Sequence, residues 1–494
     1  MNVRCPEALF AVAVAAACPA QELGNAWGTA RAEAAFYRIV DVPIPRELAL
    51  EAGSFCTLPD GRLAIGTRRG EILLVSGAFA PVPQPTVHTF ARGLDEVLGL
   101  GYRDGAFYVT QQTEVTRISD RDGDGRADRF ENLSDVWGFA NYHEFAWGSP
   151  VAPDGSVHVV LGLSESYHYR ADFRGFAFQV TADGRSIPVA SGIRSAGGVA
   201  ANEQGAMFYV ESQGPWNGSC SLKHLRPGSF QGHPICFPGY DLPLAASLGP
   251  RPLAPRSDSR LPIEAARVEQ LVPYAVVFPY RKMGQSITTF RVDTTAGRFG
   301  PFAGQLFLGD YSLSLVMRAT TELVDGVWQG ACYQFREGLG NGILAVEFGP
   351  GGHLITGGTN RGWPVRGNRQ YVLERLEWTG RTPFDIERLT IRPDGFVVAF
   401  TKPVDPVLAA VPGNYRLSTF THIYHEHYGS PEVDQTTPRV LRAEPAADGR
   451  SVRLVVEGMV QGHVHAFDLA GLRAQDGSDL LHGKAYYTVN RIPR

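Results

Sequence analysis

Arg103-Asp-Gly-Ala-Phe-Tyr-Val109, followed by Glu114-Val-Thr-Arg-Ile118, is the stretch that decides the fold. A polar turn ending in glycine leads into a short apolar strand. A second polar turn leads into another. Glycine suits the tight hairpin because it accepts a positive φ. The unit recurs. Leu58-Pro-Asp-Gly61 precedes Leu63-Ala-Ile65, and Pro153-Asp-Gly155 precedes Val157-His-Val-Val160. Glu203-Gln-Gly205, Phe302-Ala-Gly304 and Pro350-Gly-Gly352 each precede a further apolar run.

Most of these turns are roughly 45–50 residues apart, the period of a propeller blade of about four strands. The step from the turn near 204 to that near 304 is doubled, and holds a Pro- and Gly-rich excursion over 226–286. A β-sandwich would also show short strands with Asp-Gly turns; the regular spacing favours the propeller. The repeat stops near Trp378-Thr-Gly380. Beyond it, Phe396-Val-Val-Ala-Phe400, Val452-Arg-Leu-Val-Val456 and His463-Val-His-Ala-Phe467 alternate between polar turns. The expected fold is all-β: a six-bladed β-propeller over 32–380, then an Ig-like C-terminal β-sandwich over 381–494.

Composition narrows the class. With 494 residues the chain is too long for one ordinary core. A net charge of −4 and the lack of a long Lys/Arg run exclude a nucleic-acid partner. Arg4 and the apolar run Leu9 to Ala17 read as an export signal within 1–28, with cleavage near Ala20 or Ala30. The expected location is periplasmic or extracellular. No later run is apolar enough for a transmembrane helix. Excluding Cys5 and Cys18, four cysteines remain. In an exported chain an even count favours disulfides: Cys220–Cys236 first, then Cys56–Cys332.

The strongest local motif runs from Asp120 to Glu131. Asp120, Asp122, Asp124, the Arg126 carbonyl, Asp128 and Glu131 match a twelve-residue calcium loop, with Gly125 at the sharp bend. A hard cation wants several oxygens, and carboxylates this close repel without one. The flank Val115-Thr-Arg-Ile118 reads as a strand, so the loop is expected to brace the second blade. A solvated acidic loop is the plainer alternative.

His143, in Asn141-Tyr-His143-Glu144, is a candidate general base, because imidazole titrates near neutral pH. Arg194, in Gly192-Ile-Arg194, could grip a carboxylate or quinone oxygen with its planar fork. His422, His425 and His427 lie close in sequence; on a strand the last two would share a face and could bridge a metal.

Asn141-x-His143, the Pro153-Asp-Gly turn, Gly192-x-Arg194 and Glu211-Ser-Gln213-Gly-Pro-x-Asn217 together resemble the glucose/sorbosone dehydrogenase family. Its members are six-bladed propellers, and its characterised enzymes use pyrroloquinoline quinone (PQQ) and calcium. Phe230-Gln-Gly-His-Pro234, Arg361-Gly-Trp-Pro364 and Tyr486-Tyr-Thr-Val-Asn490 are similar to its secreted branch of membrane-bound-dehydrogenase-type domains. The similarity covers roughly 35–490.

The resemblance implies His143 as catalytic base and Arg194, Gln213 and Asn217 as cofactor-binding. It implies a carbohydrate or polyol substrate and an electron-acceptor protein as partner. The chain departs from the family where a lysine and paired arginines hold the PQQ carboxylates; Arg361 and Arg366 are merely nearby. The loop at Asp120 is also not the family's calcium site. The leading expectation is therefore an exported sugar or polyol oxidoreductase. A non-catalytic carbohydrate-binding or scaffolding propeller is the first alternative. A polysaccharide lyase or hydrolase using His143 with Tyr142 or Glu144 is the second.

Overall fold

The computed structural model describes residues 23–494. The apolar leader, the Ala20 cleavage position, Cys5 and Cys18 lie outside the described residues. The chain forms six successive sheets, each built on four antiparallel strands; the third adds a short parallel fifth strand, Ser229–Phe230, and the fifth is extended further. Sheet 1 is Ala52–Thr57, Leu63–Thr67, Ile72–Ser76 and Thr86–Ala91. Sheet 2 is Gly99–Arg103, Ala106–Thr110, Val115–Ser119 and Arg129–Ser134. Sheet 3 is Ala146–Gly148, Val157–Leu161, Phe176–Val180 and Ser186–Ser191. Sheet 4 is Ala196–Ala201, Met207–Glu211, Cys220–His224 and Tyr274–Phe278. Sheet 5 starts with Ile287–Val292, Leu306–Asp310, Leu315–Val324 and Val327–Glu337. Sheet 6 is Ile343–Phe348, Leu354–Gly358 and Leu373–Trp378, and its outer strand is the N-terminal Tyr37–Asp41.

All six repeated turns fall between the first and second strands of a sheet. There Gly61, Gly105, Gly155, Gly205, Gly304 and Gly352 all have φ between 76° and 84°, a region that side chains with a Cβ rarely adopt. The doubled step has a simple cause. Residues 226–273 are inserted between the third and fourth strands of sheet 4, and carry the short helix Leu261–Arg267.

First strands pack on one another in chain order, and that of sheet 6 packs on that of sheet 1. Their shared core is apolar: Leu98, Trp147, Ala196, Tyr311 and Leu344, from sheets 2 to 6 or their flanks, join one buried cluster.

The last strand of sheet 5 does not end its sheet. Val327–Glu337 pairs with Lys484–Thr488, and Val464–Asp468, Arg416–His422 and Glu432–Thr436 continue outward to eight strands. A seventh sheet of Ile386–Arg392, Gly395–Phe400, Ser451–Glu457 and Arg439–Pro445 shares a core with it. That core joins Tyr333 and Tyr487 to Phe396 and Leu454. Among the described residues no helix is long and apolar enough to cross a membrane.

The expected disulfides are absent: Cys56, Cys220, Cys236 and Cys332 are all free. Cys220 sits mid-sheet with its thiol toward the Gln285 carbonyl, whereas Cys236 packs in a different core against Gly192. A short sequence interval did not bring their Cβ atoms together. Burial pushes both thiols up to about 12.

The residues before the first strand are latched to the C-terminal part. Fully buried His482 lies with Nδ1 2.8 Å from Asp385 and Nε2 3.1 Å from Glu33. Burial works against its charge, yet Asp385 and Glu33 outweigh it and raise His482 to about 9. A raised histidine contributes stability fully below its unfolded value and loses it as pH climbs through the folded one. His482→Gln should therefore cost about 3–5 kcal/mol near pH 6. Urea unfolding should show that gap to wild type narrowing as pH rises through about 9. A gap independent of pH would show that the imidazole is not held charged.

Candidate functional site at the mouth of the ring

Strands alternate in direction, so the second-to-third-strand loops and the crossovers between sheets emerge at one end. That end is the mouth. It carries Glu51, Arg68, Glu96, His143, Glu165, Arg194, Gln213, Asn217, Arg361 and Trp363. The remaining hairpins, including Asp120 to Asp128, emerge at the other end.

His143 is half-buried in the crossover from sheet 2 to sheet 3. Its backbone N–H donates to Asn141 Oδ1 at 2.9 Å, and Asn141 Nδ2 donates to Glu165 at 2.9 Å. The imidazole lies 4.1 Å from the Tyr142 ring and 5.0 Å from that of Trp363. Burial holds it below the ordinary histidine value, with Glu165 pulling it up and Arg68 pushing it down. It is therefore neutral at neutral pH and able to accept a proton.

The crossover is pinned from beneath. Arg174, fully buried, donates to the carbonyls of Gly138 and Gln112 at 2.9 and 2.7 Å, and lies 3.7 Å from Glu144. Burial lowers Arg174 to about 10, against the pull of Glu144. Glu144 also takes the Ser164 hydroxyl and has no exposed surface. Its other oxygen takes the N–H groups of Ala140 and Asn141, so both oxygens are engaged in positioning the loop and neither is left to act with His143 in lyase or hydrolase chemistry.

Arg194, Gln213 and Asn217 come together beside the mouth but face inward. Arg194 donates to the Ser212 and Gln213 carbonyls at 2.8 and 2.6 Å. Gln213 donates to Gly218 at 3.0 Å, and Asn217 to Ser212 at 2.8 Å. Arg68 and Arg361 are paired with Glu96 and Glu51, and Arg366 donates to the Gly24 and Leu313 carbonyls. The guanidiniums of Arg68, Arg361 and Arg366 are thus engaged, and Arg194 keeps one N–H, at Nε, without a partner. The donor set does not fit a quinone that brings several carboxylates.

The C-terminal part also reaches the mouth. Residues 423–430 lie on sheet 4: Trp216 N–H donates to the His425 carbonyl at 2.7 Å, and Gly429 packs on Gln213. Tyr428 covers Arg194, with the guanidinium carbon 5.9 Å from the ring centre, and stands 6.4 Å from the Tyr167 ring. The expected metal strand is a loop here. His425 spends Nε2 on the Gly429 carbonyl, and His422 is buried elsewhere.

The exposed tyrosines and tryptophan among the described residues are Tyr142, Tyr167, Trp363 and Tyr428. All four surround this one mouth. Sequence reasoning singled out the histidine and missed this grouping, because the four belong to loops far apart in the chain.

At the opposite end, the carboxylates of Asp120, Asp122 and Asp124 offer oxygens within 4.8 Å of one another. Glu131 does not join them. It pairs with Arg117 at 2.8 Å and with Arg129. A helix would return position 12 to the loop. Here a strand follows, and Glu131 shares a strand face with Arg129. Asp128 likewise accepts the Arg121 N–H at 3.0 Å. The loop docks on sheet 1: His88 Nε2 lies 2.7 Å from the Gly125 carbonyl, and Ala127 N–H donates to Phe90 at 2.8 Å. The six-residue strand Arg129–Ser134 separates it from the His143 crossover by about 20 Å.

Residues 85–234 match a family described as a domain of unknown function, DUF7133. No curated protein matches the chain. The fold is similar to an oxidoreductase (glucose dehydrogenase) of Thermus thermophilus, at 17% identity over 69% of this chain and 99% of that one, TM-score 0.49. It is also similar to a soluble aldose sugar dehydrogenase of Escherichia coli in its apo form, at 15% over 70% and 100%, TM-score 0.43. A third is the pyranose dehydrogenase PQQ domain of Coprinopsis cinerea, at 10% over 69% and 95%, TM-score 0.46.

Trp363 shields His143 from water, so Trp363→Ala should raise the His143 pKa toward about 6.5. Imidazole C–H chemical shifts followed against pH measure this. An unchanged midpoint would mean that the ring does not shield it.

Proposed function

We propose that this protein is an exported carbohydrate-binding β-propeller whose ligand lies across the aromatic mouth. The six sheets are read as six blades over 32–380, with an Ig-like sandwich over 381–494 and an export leader over 1–28. One observation carries the binding reading: the exposed Tyr and Trp side chains among the described residues all lie at this mouth, Tyr142 and Trp363 against His143 and Tyr167 beside Tyr428 over Arg194. Exposed aromatic surface concentrated at one concave place marks a binding site. Flat rings can lie on the C–H face of a pyranose, while Asn141, Glu165 and His143 supply polar contacts at its edge.

A second reading keeps the sugar and adds chemistry: oxidation of a hydroxyl, with His143 taking the proton and a separate redox acceptor taking the hydride. The neutral, half-buried imidazole favours it. PQQ held by Arg194, Gln213 and Asn217 is not part of this reading, because those side chains are bonded inward.

The test is titration calorimetry against a panel of neutral mono- and oligosaccharides. Trp363→Ala should weaken binding by about tenfold or more and leave the fold intact, since the indole is 46% exposed. Binding that survives Trp363→Ala and Tyr428→Ala together would place the sugar elsewhere. Turnover of a bound sugar with an artificial electron acceptor, lost in His143→Ala, would establish the second reading.

Asp120, Asp122 and Asp124, with the Arg126 carbonyl, are proposed to hold calcium as a brace between sheets 1 and 2. At extracellular affinities of about 10⁻⁴–10⁻³ M, about 1 mM calcium contributes only about 0.4–1.4 kcal/mol. Chelator should speed hydrogen exchange at 86–91 and 120–128 and leave 141–147 unchanged. Faster exchange at the mouth alone would contradict this placement.

A further inference from the structure

The floor of the mouth holds polar atoms that are buried and without a partner: Glu51 Oε2, Glu96 Oε2 and both amide atoms of Asn341. Glu51 is 2% exposed and Asn341 is 1% exposed. Each carboxylate has its other oxygen fixed. Arg361 reaches Glu51 Oε1 at 3.1 Å and Glu96 Oε1 at 3.4 Å, and Arg68 reaches the same Glu96 oxygen at 2.8 Å. One guanidinium therefore holds two carboxylates side by side, each with an unspent oxygen. Asn341 belongs to the same floor. Its neighbour Gly342 accepts the Thr359 N–H at 3.1 Å, and the Thr359 hydroxyl lies 3.4 Å from Glu51 Oε1.

A buried acceptor left without a donor is costly, so these oxygens call for one. Its charge can be argued. Two carboxylates already face two guanidiniums, and the adjacent Asp95 is exposed to solvent. The group does not need a cation. It needs neutral donors, at least two, on neighbouring atoms. Vicinal hydroxyls meet that description. A platform for the ring carrying them is close by: Trp363 lies two residues beyond Arg361 in the same turn, which Tyr311 fixes by donating its hydroxyl to the Arg361 carbonyl at 2.7 Å.

We infer that Glu51 and Glu96 form the hydroxyl-reading subsite of the mouth, taking the vicinal diol of a pyranose whose face rests on Trp363. Arg361 is the positioning residue that sets their spacing. This rests on the carbohydrate reading above and adds to it the groups that decide which sugar is kept. Asn341, with a donor and an acceptor both unspent, can take the next hydroxyl along the ring.

The test uses the full-length protein, the tightest-binding neutral sugar of the panel, and its single-position deoxy analogues. Glu51→Gln and Glu96→Gln keep side-chain size, and thermal melting checks that each folds. Wild type should lose about tenfold in affinity when one hydroxyl of the diol is removed. Each variant should bind the parent sugar about tenfold more weakly and no longer distinguish it from that analogue. Variants that discriminate as wild type does would overturn the inference, leaving ordered water as the only occupant of the floor. Wild type indifferent to every single deoxygenation would also overturn it, even if neither variant folds. Wild type that binds no sugar at all would remove the carbohydrate reading itself; binding with indifferent variants removes only this subsite.

Discussion

The pairing of Tyr37–Asp41 with Leu373–Trp378 is the constraint on which the rest depends. It places a strand from near the start of the described chain at the outer edge of sheet 6, in register from Tyr37 opposite Trp378 to Asp41 opposite Glu374. Such a contact closes a very long loop, and its entropic cost grows only slowly with length. Once it forms, sheet 6 has its fourth strand and its first strand lies against sheet 1. The loops at one end then face a common centre. The buried Glu33–His482–Asp385 contact and the Arg336–Glu33 pair fasten the same end of the chain a second time.

Around that centre the charges are mostly used for placement. Arg174 holds the crossover that carries His143. Lys223, almost fully buried, pairs with Glu211, whose other oxygen takes the Arg194 N–H. Burial lowers Lys223 from its ordinary value against the pull of Glu211. Ion pairs of this kind add little net stability, because desolvation offsets much of the attraction. Their effect is to fix loops that would otherwise have to be ordered by a ligand, and preorganisation reduces the cost of binding.

Much of the architecture was legible because it rests on local chemistry. Each of the six turns needed a positive φ, and each carried a glycine to supply it. The site was legible only in part. His143 could be found from its type and its neighbours. Glu51 and Glu96 could not, since they lie in separate crossovers 45 residues apart and only Arg361, far along the chain, joins them. The calcium motif states which residue types occur, but whether position 12 bends back depends on the strand that follows. Cys220 and Cys236 misled for a related reason: nearness in sequence says little about where a Cβ points once the two enter different cores. The pairing of Val327–Glu337 with Lys484–Thr488 left no local signal at all.

That pairing has a consequence for how the two parts of the chain behave. Val327–Glu337 belongs to the six successive sheets through its neighbour Leu315–Val324 and to the C-terminal strands through Lys484–Thr488. The backbone ladder crosses from one unit to the other without a break, so the covalent link over 379–385 is not what joins them. A cut there would leave the halves together as a nicked, non-covalent whole, with 423–430 still seated on the mouth. The boundary that looks like a linker in the sequence is, mechanically, a seam already sewn.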